Sequence, residues 1–102
     1  MRIMLACAAG MSTSILVNKM EEAAKAEGKD YKIWASDQSL IEDQLDDFDV
    51  LLLGPQVAHT LKKVKRIVGD KAPVAVIKAM DYGRGDGAAV LKFAEELSEN
   101  SN

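Results

Sequence analysis

The stretch Arg2-Ile3-Met4-Leu5-Ala6-Cys7-Ala8-Ala9-Gly10-Met11-Ser12-Thr13-Ser14 decides how the chain is read. Residues 2–6 are apolar on both faces apart from Arg2, the pattern of a strand covered on both sides. Helical spacing takes over beyond the loop. Ile15, Leu16, Met20, Ala23 and Ala24 fall on one side, while Asn18, Lys19, Glu22 and Lys25 face away. That spacing predicts a helix over residues 12–27, stopped at Gly28. Small and hydroxylated residues join the strand to the helix. Such a loop aims several backbone N–H groups at one spot, and the helix start adds positive dipole there. The spot suits a phosphate. Cys7, at the lip of this loop, is expected to be held as a thiolate, the nucleophilic form.

Working outward, apolar runs keep alternating with amphipathic ones. Residues 31–36 alternate and read as a second strand, at an edge. Asp37 or Ser39 can cap a short helix reaching Leu45, with Leu40, Ile41 and Leu45 inward. Asp49-Val50-Leu51-Leu52-Leu53 is a continuous aliphatic run, the mark of a central strand, and Gly54-Pro55 ends it. Residues 57–68 read as a helix with Val57, Leu61, Val64, Ile67 and Val68 inward, stopped by Gly69. Residues 74–77 form a fourth strand, 80–87 a glycine-rich loop, 88–97 the last helix and 99–102 a frayed tail. The fold class is therefore α/β: one domain over 1–102, a three-layer, four-stranded parallel sheet flanked by helices. The order is expected to be 2-1-3-4. In such open sheets the ligand lies beyond the carboxyl ends of the strands, where the winding reverses. That is where Cys7 stands.

Composition removes several classes of function. The 102 residues suffice for one core and are too few for two, and 48% are apolar. A net charge of −3 and few aromatics argue against a nucleic-acid surface. One cysteine makes no internal disulfide, which fits a cytoplasmic protein with a free thiol. No apolar run approaches the ~20 residues of a membrane helix. Six residues before Cys7 leave no room for a signal peptide, so lipid attachment there is not expected. Nothing calls for a metal or cofactor.

The loop reads C-x5-T-S and resembles the C-x5-R-S/T loop of low-molecular-weight protein tyrosine phosphatases, which share this architecture. In those enzymes the arginine clamps the transferring phosphoryl group. Here Thr13 stands in its place, and no basic residue lies anywhere in the loop. The Asp-Pro pair that supplies the phosphatase's general acid is also missing. Charge stabilisation of that kind is a large catalytic term. A loop without it can hold a phosphocysteine on neutral donors while driving its hydrolysis poorly, which is how a carrier behaves.

The stretch Ile3–Ser14, the Asp49-Val50-Leu51-Leu52-Leu53-Gly54-Pro55-Gln56-Val57 segment and the length near 100 residues resemble the IIB component of the lactose/cellobiose (chitobiose) class of the bacterial sugar phosphotransferase system. That resemblance implies a phosphocarrier, a transferase of sugar uptake. Phosphohistidine on a IIA partner loads Cys7, and the phosphate passes to a disaccharide carried by the membrane-embedded IIC partner. The protein would be a cytoplasmic monomer, peripheral to the inner face of the membrane through IIC. On this reading Cys7 is the nucleophile. Ala8, Ala9, Gly10, Met11, Ser12, Thr13 and Ser14 bind phosphate as a P-loop, and Gln56, Tyr82 and Arg84 form a possible periphery. An exposed Met11 would suit partner docking. His59, the single histidine, is expected at the surface or in packing, and Lys62-Lys63 and Lys65-Arg66 as a solvated basic face. The competing readings are a cysteine-dependent phosphatase and a redox or binding module that uses the same anion nest without a covalent step.

Overall fold

A computed structural model gives the architecture. It describes residues 1–7 and 11–100, with side chains for all of these except 11 and 12. The elements run β1 (Arg2–Cys7), α1 (Met11–Ala26), β2 (Lys32–Asp37), two 3-10 turns (Gln38–Leu40 and Glu42–Gln44), β3 (Val50–Leu53), a 3-10 segment (Pro55–Thr60), α2 (Leu61–Val68), β4 (Val74–Val76), α3 (Ala79–Arg84) and α4 (Gly87–Asn100).

All strand pairs are parallel, as the alternation of strands and helices implies, and the order is the expected β2-β1-β3-β4. Ala6 is in register with Ser36 on one side and Leu53 on the other, and Cys7 extends the β2 pairing opposite Asp37. The winding reverses between β2 and β3, so β1 leads into the switch point with Cys7 at its carboxyl end.

Side chains alternate across the sheet and divide the apolar set into two cores. On one face Ile3, Leu5, Val50 and Leu52 pack with Leu16, Val17, Met20 and Ala24 of α1 and with Val90, Leu91 and Ala94 of α4. On the other face Met4, Ala6, Leu51 and Leu53 pack with Ile41, Phe48, Val57, Val64 and Val68. This is the three-layer arrangement, with α1 and α4 below the sheet and α2 with the 3-10 turns above it.

Several local expectations are corrected. Ile15 is 65% exposed rather than inward; α1 turns residues 13, 16, 17, 20 and 24 to the sheet, and Val17 takes the core place given to Ile15. Leu40 is also exposed, because the segment after β2 forms two tight 3-10 turns rather than one amphipathic helix. Asp37 caps the first of them by accepting from the Ser39 amide at 2.9 Å. The helix read over 57–68 opens as 3-10 structure up to Thr60, with a non-helical backbone at Val57. The glycine-rich segment after β4 is not a loop. It holds α3, closed at Gly85 with φ 61°, a left-handed turn that glycine takes without strain. Tyr82 and Arg84 therefore stand on a helix. The tail expected to fray from residue 99 is helical as far as Asn100.

Gly87 positions α4 against α1. A methyl group there would fall 2.3 Å from the Lys19 carbonyl carbon and 2.5 Å from the Met20 nitrogen. Only glycine lets the two backbones approach this closely. Asp86 caps the same helix by accepting from the Ala89 amide at 3.1 Å.

Candidate functional site

The site begins with β1. Its alternating apolar residues bury it on both faces, so Cys7, the last strand residue, is held at the carboxyl edge of the sheet. Cys7 is 3% exposed, deeper than the open lip the loop composition suggested. Helix α1 starts at Met11 and turns its third residue back onto the sulfur. The Thr13 hydroxyl lies 3.5 Å from Cys7 Sγ, and either atom can donate. Thr13 has no exposed surface and is the one buried polar residue among those described. A buried hydroxyl at a helix start, facing sulfur, adds a neutral donor to the pole where the helix dipole favours negative charge.

The second wall comes from β3. Gly54 donates its amide to Ala6 O at 2.9 Å, which brings the exit of β3 against the exit of β1. A methyl group at Gly54 would meet Cys7 Cβ at 3.4 Å and Gln56 Oε1 at 2.7 Å. The Gly54-Pro55 pair read as a strand stop is thus also a close approach to the cysteine. The third wall is α3. Gln56 Nε2 donates to Tyr82 Oη at 3.1 Å. Tyr82 packs on the α1/α4 core and, with Ile15, Leu16, Gly83, Arg84 and Gly85, lines a groove of about 360 Å³.

The structure thus brings Cys7, Thr13, Gln56 and Tyr82 to one end of the sheet. Ser14 is exposed on the first turn of α1, and Arg84 stands on the groove rim. The roles expected of Ala8, Ala9 and Gly10, and of the side chains of Met11 and Ser12, lie outside the described residues. His59 is exposed on the 3-10 segment, and Lys62, Lys63, Lys65 and Arg66 form the exposed face of α2. Asp37, in register with Cys7, is held below the usual carboxylate range by the backbone amide and hydroxyl of Ser39. It is the nearest fixed negative charge along the sheet. No group of three or more metal-ligating side chains occurs among the described residues. Sequence reading missed that Gln56 and Tyr82 are bonded to each other. The available signal was topological, since both segments follow strands that end on the same side of the sheet.

Comparison with known proteins decides the family. Residues 2–93 match the family model described as PTS system, Lactose/Cellobiose specific IIB subunit. The chain belongs to this family. It is a IIB component of the sugar phosphotransferase system, a phosphotransferase of sugar uptake. It is 50% identical over 103 residues to the PTS system galactose-specific EIIB component of Lactococcus lactis subsp. cremoris, covering 93% of this chain and 94% of the relative. The solution structure of the cellobiose-specific phosphotransferase IIB component protein from Borrelia burgdorferi superposes with a TM-score of 0.83. It is 37% identical and covers 100% of this chain and 94% of that one. In Streptococcus mutans a PTS system lactose-specific EIICB component carries a region 30% identical over 98 residues, which is 92% of this chain and 17% of that protein. IIB units of this family thus work with IIC transporters, in that case within one polypeptide. Among the described residues no helix is long and apolar enough to cross a membrane.

Proposed function

We propose that this IIB chain, acting as a monomeric single-domain carrier, takes a phosphoryl group onto Cys7 from a phosphohistidine of a IIA partner. It then delivers that group to a disaccharide moved by a membrane IIC partner. In the first step a lone pair of the Cys7 thiolate attacks phosphorus. The S–P bond forms as the P–N bond breaks, and the imidazole leaves with its bonding pair, neutral when its other nitrogen carries a proton. In the second step a sugar hydroxyl oxygen attacks phosphorus, the thiolate leaves with the S–P pair, and the hydroxyl proton passes to a base. Both steps trade one P–X bond for another, so no redox partner or metal is required.

The observation that carries this reading is the pairing of the single cysteine, at the carboxyl end of a central strand, with a buried hydroxyl 3.5 Å from its sulfur where a phosphatase has arginine. Neutral donors accommodate a phosphothiol. The guanidinium that stabilises the charge of hydrolysis is absent from this position. Exposed apolar residues at the same end support this reading. The exposed large apolar residues Ile15, Leu40 and Met80 follow the carboxyl ends of β1, β2 and β4 in turn. A partner seated there covers apolar surface while reaching Cys7.

The test is to incubate the protein with a phosphohistidine-bearing IIA and follow intact mass. A single phosphate adduct that persists, and that disappears in Cys7→Ser, is the expected result. Rapid turnover of an aryl phosphate identifies a phosphatase instead, and no adduct identifies a non-covalent binding module.

A further inference from the structure

Gln56 is exposed on the turn that follows β3, yet its carboxamide is held close to the site. The Nε2 end donates to Tyr82 Oη at 3.1 Å. The Oε1 end is folded back over Gly54, where the space a methyl group would take is bordered by Oε1 at 2.7 Å and by Cys7 Cβ at 3.4 Å. The absence of a side chain at Gly54 is what lets the carboxamide come in beside the cysteine. We propose that Gln56 is a positioning residue for phosphoryl transfer: anchored by Tyr82, it forms the neutral polar flank of Cys7 on the β3 side. This rests on Cys7 being the residue that carries the phosphate.

The side-chain type fits the task. A carboxylate of the same length would set a like charge beside a thiolate and then beside a phosphoryl dianion. A hydrocarbon would offer no polar contact. An amide presents an acceptor at one end and two donors at the other, so a half-turn about its last bond exchanges which end lies beside Gly54 on the Cys7 side. Tyr82 tolerates that exchange because a phenol hydroxyl both accepts and donates. The same side chain thus serves the bare sulfur and the phosphorylated one. Among the described residues, the Thr13 hydroxyl from α1 and Asp37 in register on β2 also stand at Cys7, while Arg84 lies with Tyr82 on the rim of the neighbouring groove. Gln56 is the contribution from the β3 exit.

Cys7 is the single cysteine, so thiolate ultraviolet absorbance, with Cys7→Ser subtracted, titrates it without a reagent that must reach the sulfur. Gln56→Glu is expected to move that titration up by roughly half a pH unit or more and to cut loading from phospho-IIA about tenfold. Gln56→Ala is expected to leave the titration near that of the parent protein and cut loading several-fold. Tyr82→Phe keeps the ring, removes the anchor and is expected to fall between the two parents of the comparison, the unmodified chain and Gln56→Ala. Gln56 is exposed, so its variants should melt with the parent protein, which thermal unfolding checks. A Gln56→Glu titration superposing on the parent's, or parent-like loading by Gln56→Ala, overturns the proposal, and parent-like loading by Tyr82→Phe overturns the anchoring half of it. If the unaltered chain takes no phosphate on Cys7, the functional reading falls, while the titration still decides whether Gln56 flanks the sulfur.

Discussion

Cys7 Sγ and Thr13 Oγ1 lie 3.5 Å apart, across a loop that leaves a strand and returns in the first turn of a helix, and Thr13 is wholly buried. The hydroxyl can donate to the thiolate, and valine has its shape without that donor. Thr13→Val is therefore expected to raise the Cys7 thiol titration by roughly half a pH unit, following the modest worth of a hydrogen bond to an ionised group. Loading with phosphate near neutral pH should slow accordingly. An unchanged ultraviolet titration would mean the hydroxyl does not act on the sulfur.

The same burial sets what arginine would do there. The phosphatase resemblance suggests that Thr13→Arg would restore a clamp for the phosphoryl group. A guanidinium is much larger than the hydroxyl group it would replace at a position with no exposed surface, so it would overpack the site. The expected result is a protein that melts well below the parent, read by thermal unfolding, and no gain in phosphocysteine hydrolysis.

Ile15 points to solvent beside the groove that Tyr82 and Arg84 line. Ile15→Glu should leave the melting temperature unchanged, since the side chain buries little in the folded chain. Loading from phospho-IIA should fall about tenfold or more, because the partner would then have to desolvate a charge at the contact. Equal rates for the two proteins would remove Ile15 from the docking face.

Gly87 lies at a close approach of α4 to the backbone of α1. Gly87→Ala places a methyl group 2.3 Å from backbone, which does not yield as a side-chain end would. Separating the helices is expected to cost about 2 kcal/mol, lowering the melting temperature by roughly 10 °C. Calorimetry checks it.

Glu95 on α4 accepts from Lys29 and from Tyr31 Oη, the latter at 2.7 Å. Lys29 first, and Tyr31 in addition, hold its carboxyl below the usual range. A depressed carboxyl contributes stability that is complete above its unfolded pKa and lost as pH falls through its folded value. Glu95→Gln should therefore melt a few degrees below the parent at neutral pH, and the gap should close as pH drops below about 4. A gap that is constant with pH would show that packing, not charge, is what Glu95 provides.

The sheet was legible because its information is local and one-dimensional. The run Val50–Leu53 is apolar without alternation, so it has to be interior, and Cys7 has to stand where β1 stops. The buried hydroxyl at Thr13 was legible as a candidate for the same reason, being set by position relative to that cysteine. The direction of Ile15 was not, because neighbouring residues on a helix differ by about 100°, so Ile15 and Val17 flank the buried Leu16 on opposite sides and only the sheet's placement settles which of them the apolar stripe includes. The helix Ala79–Arg84 was hidden by Gly83 within it and Gly85 at its end, and the low propensity of glycine is overridden by packing of Tyr82 on the α1/α4 core. The Gln56–Tyr82 contact spans 26 positions, and no periodicity encodes a pairing of that range.

The lateral margins of the sheet have a bearing on life in a crowded cell. One margin is β4, three residues long and entered through Pro73, which has no amide hydrogen to offer a newcomer. The other is β2, where Lys32 lays its ammonium 5.2 Å from the Trp34 ring centre and Asp37 closes the strand with a charge. Neither margin is a flat, uncharged template on which a second sheet could grow. Pairing of this sheet with that of a second copy is thereby disfavoured along both margins.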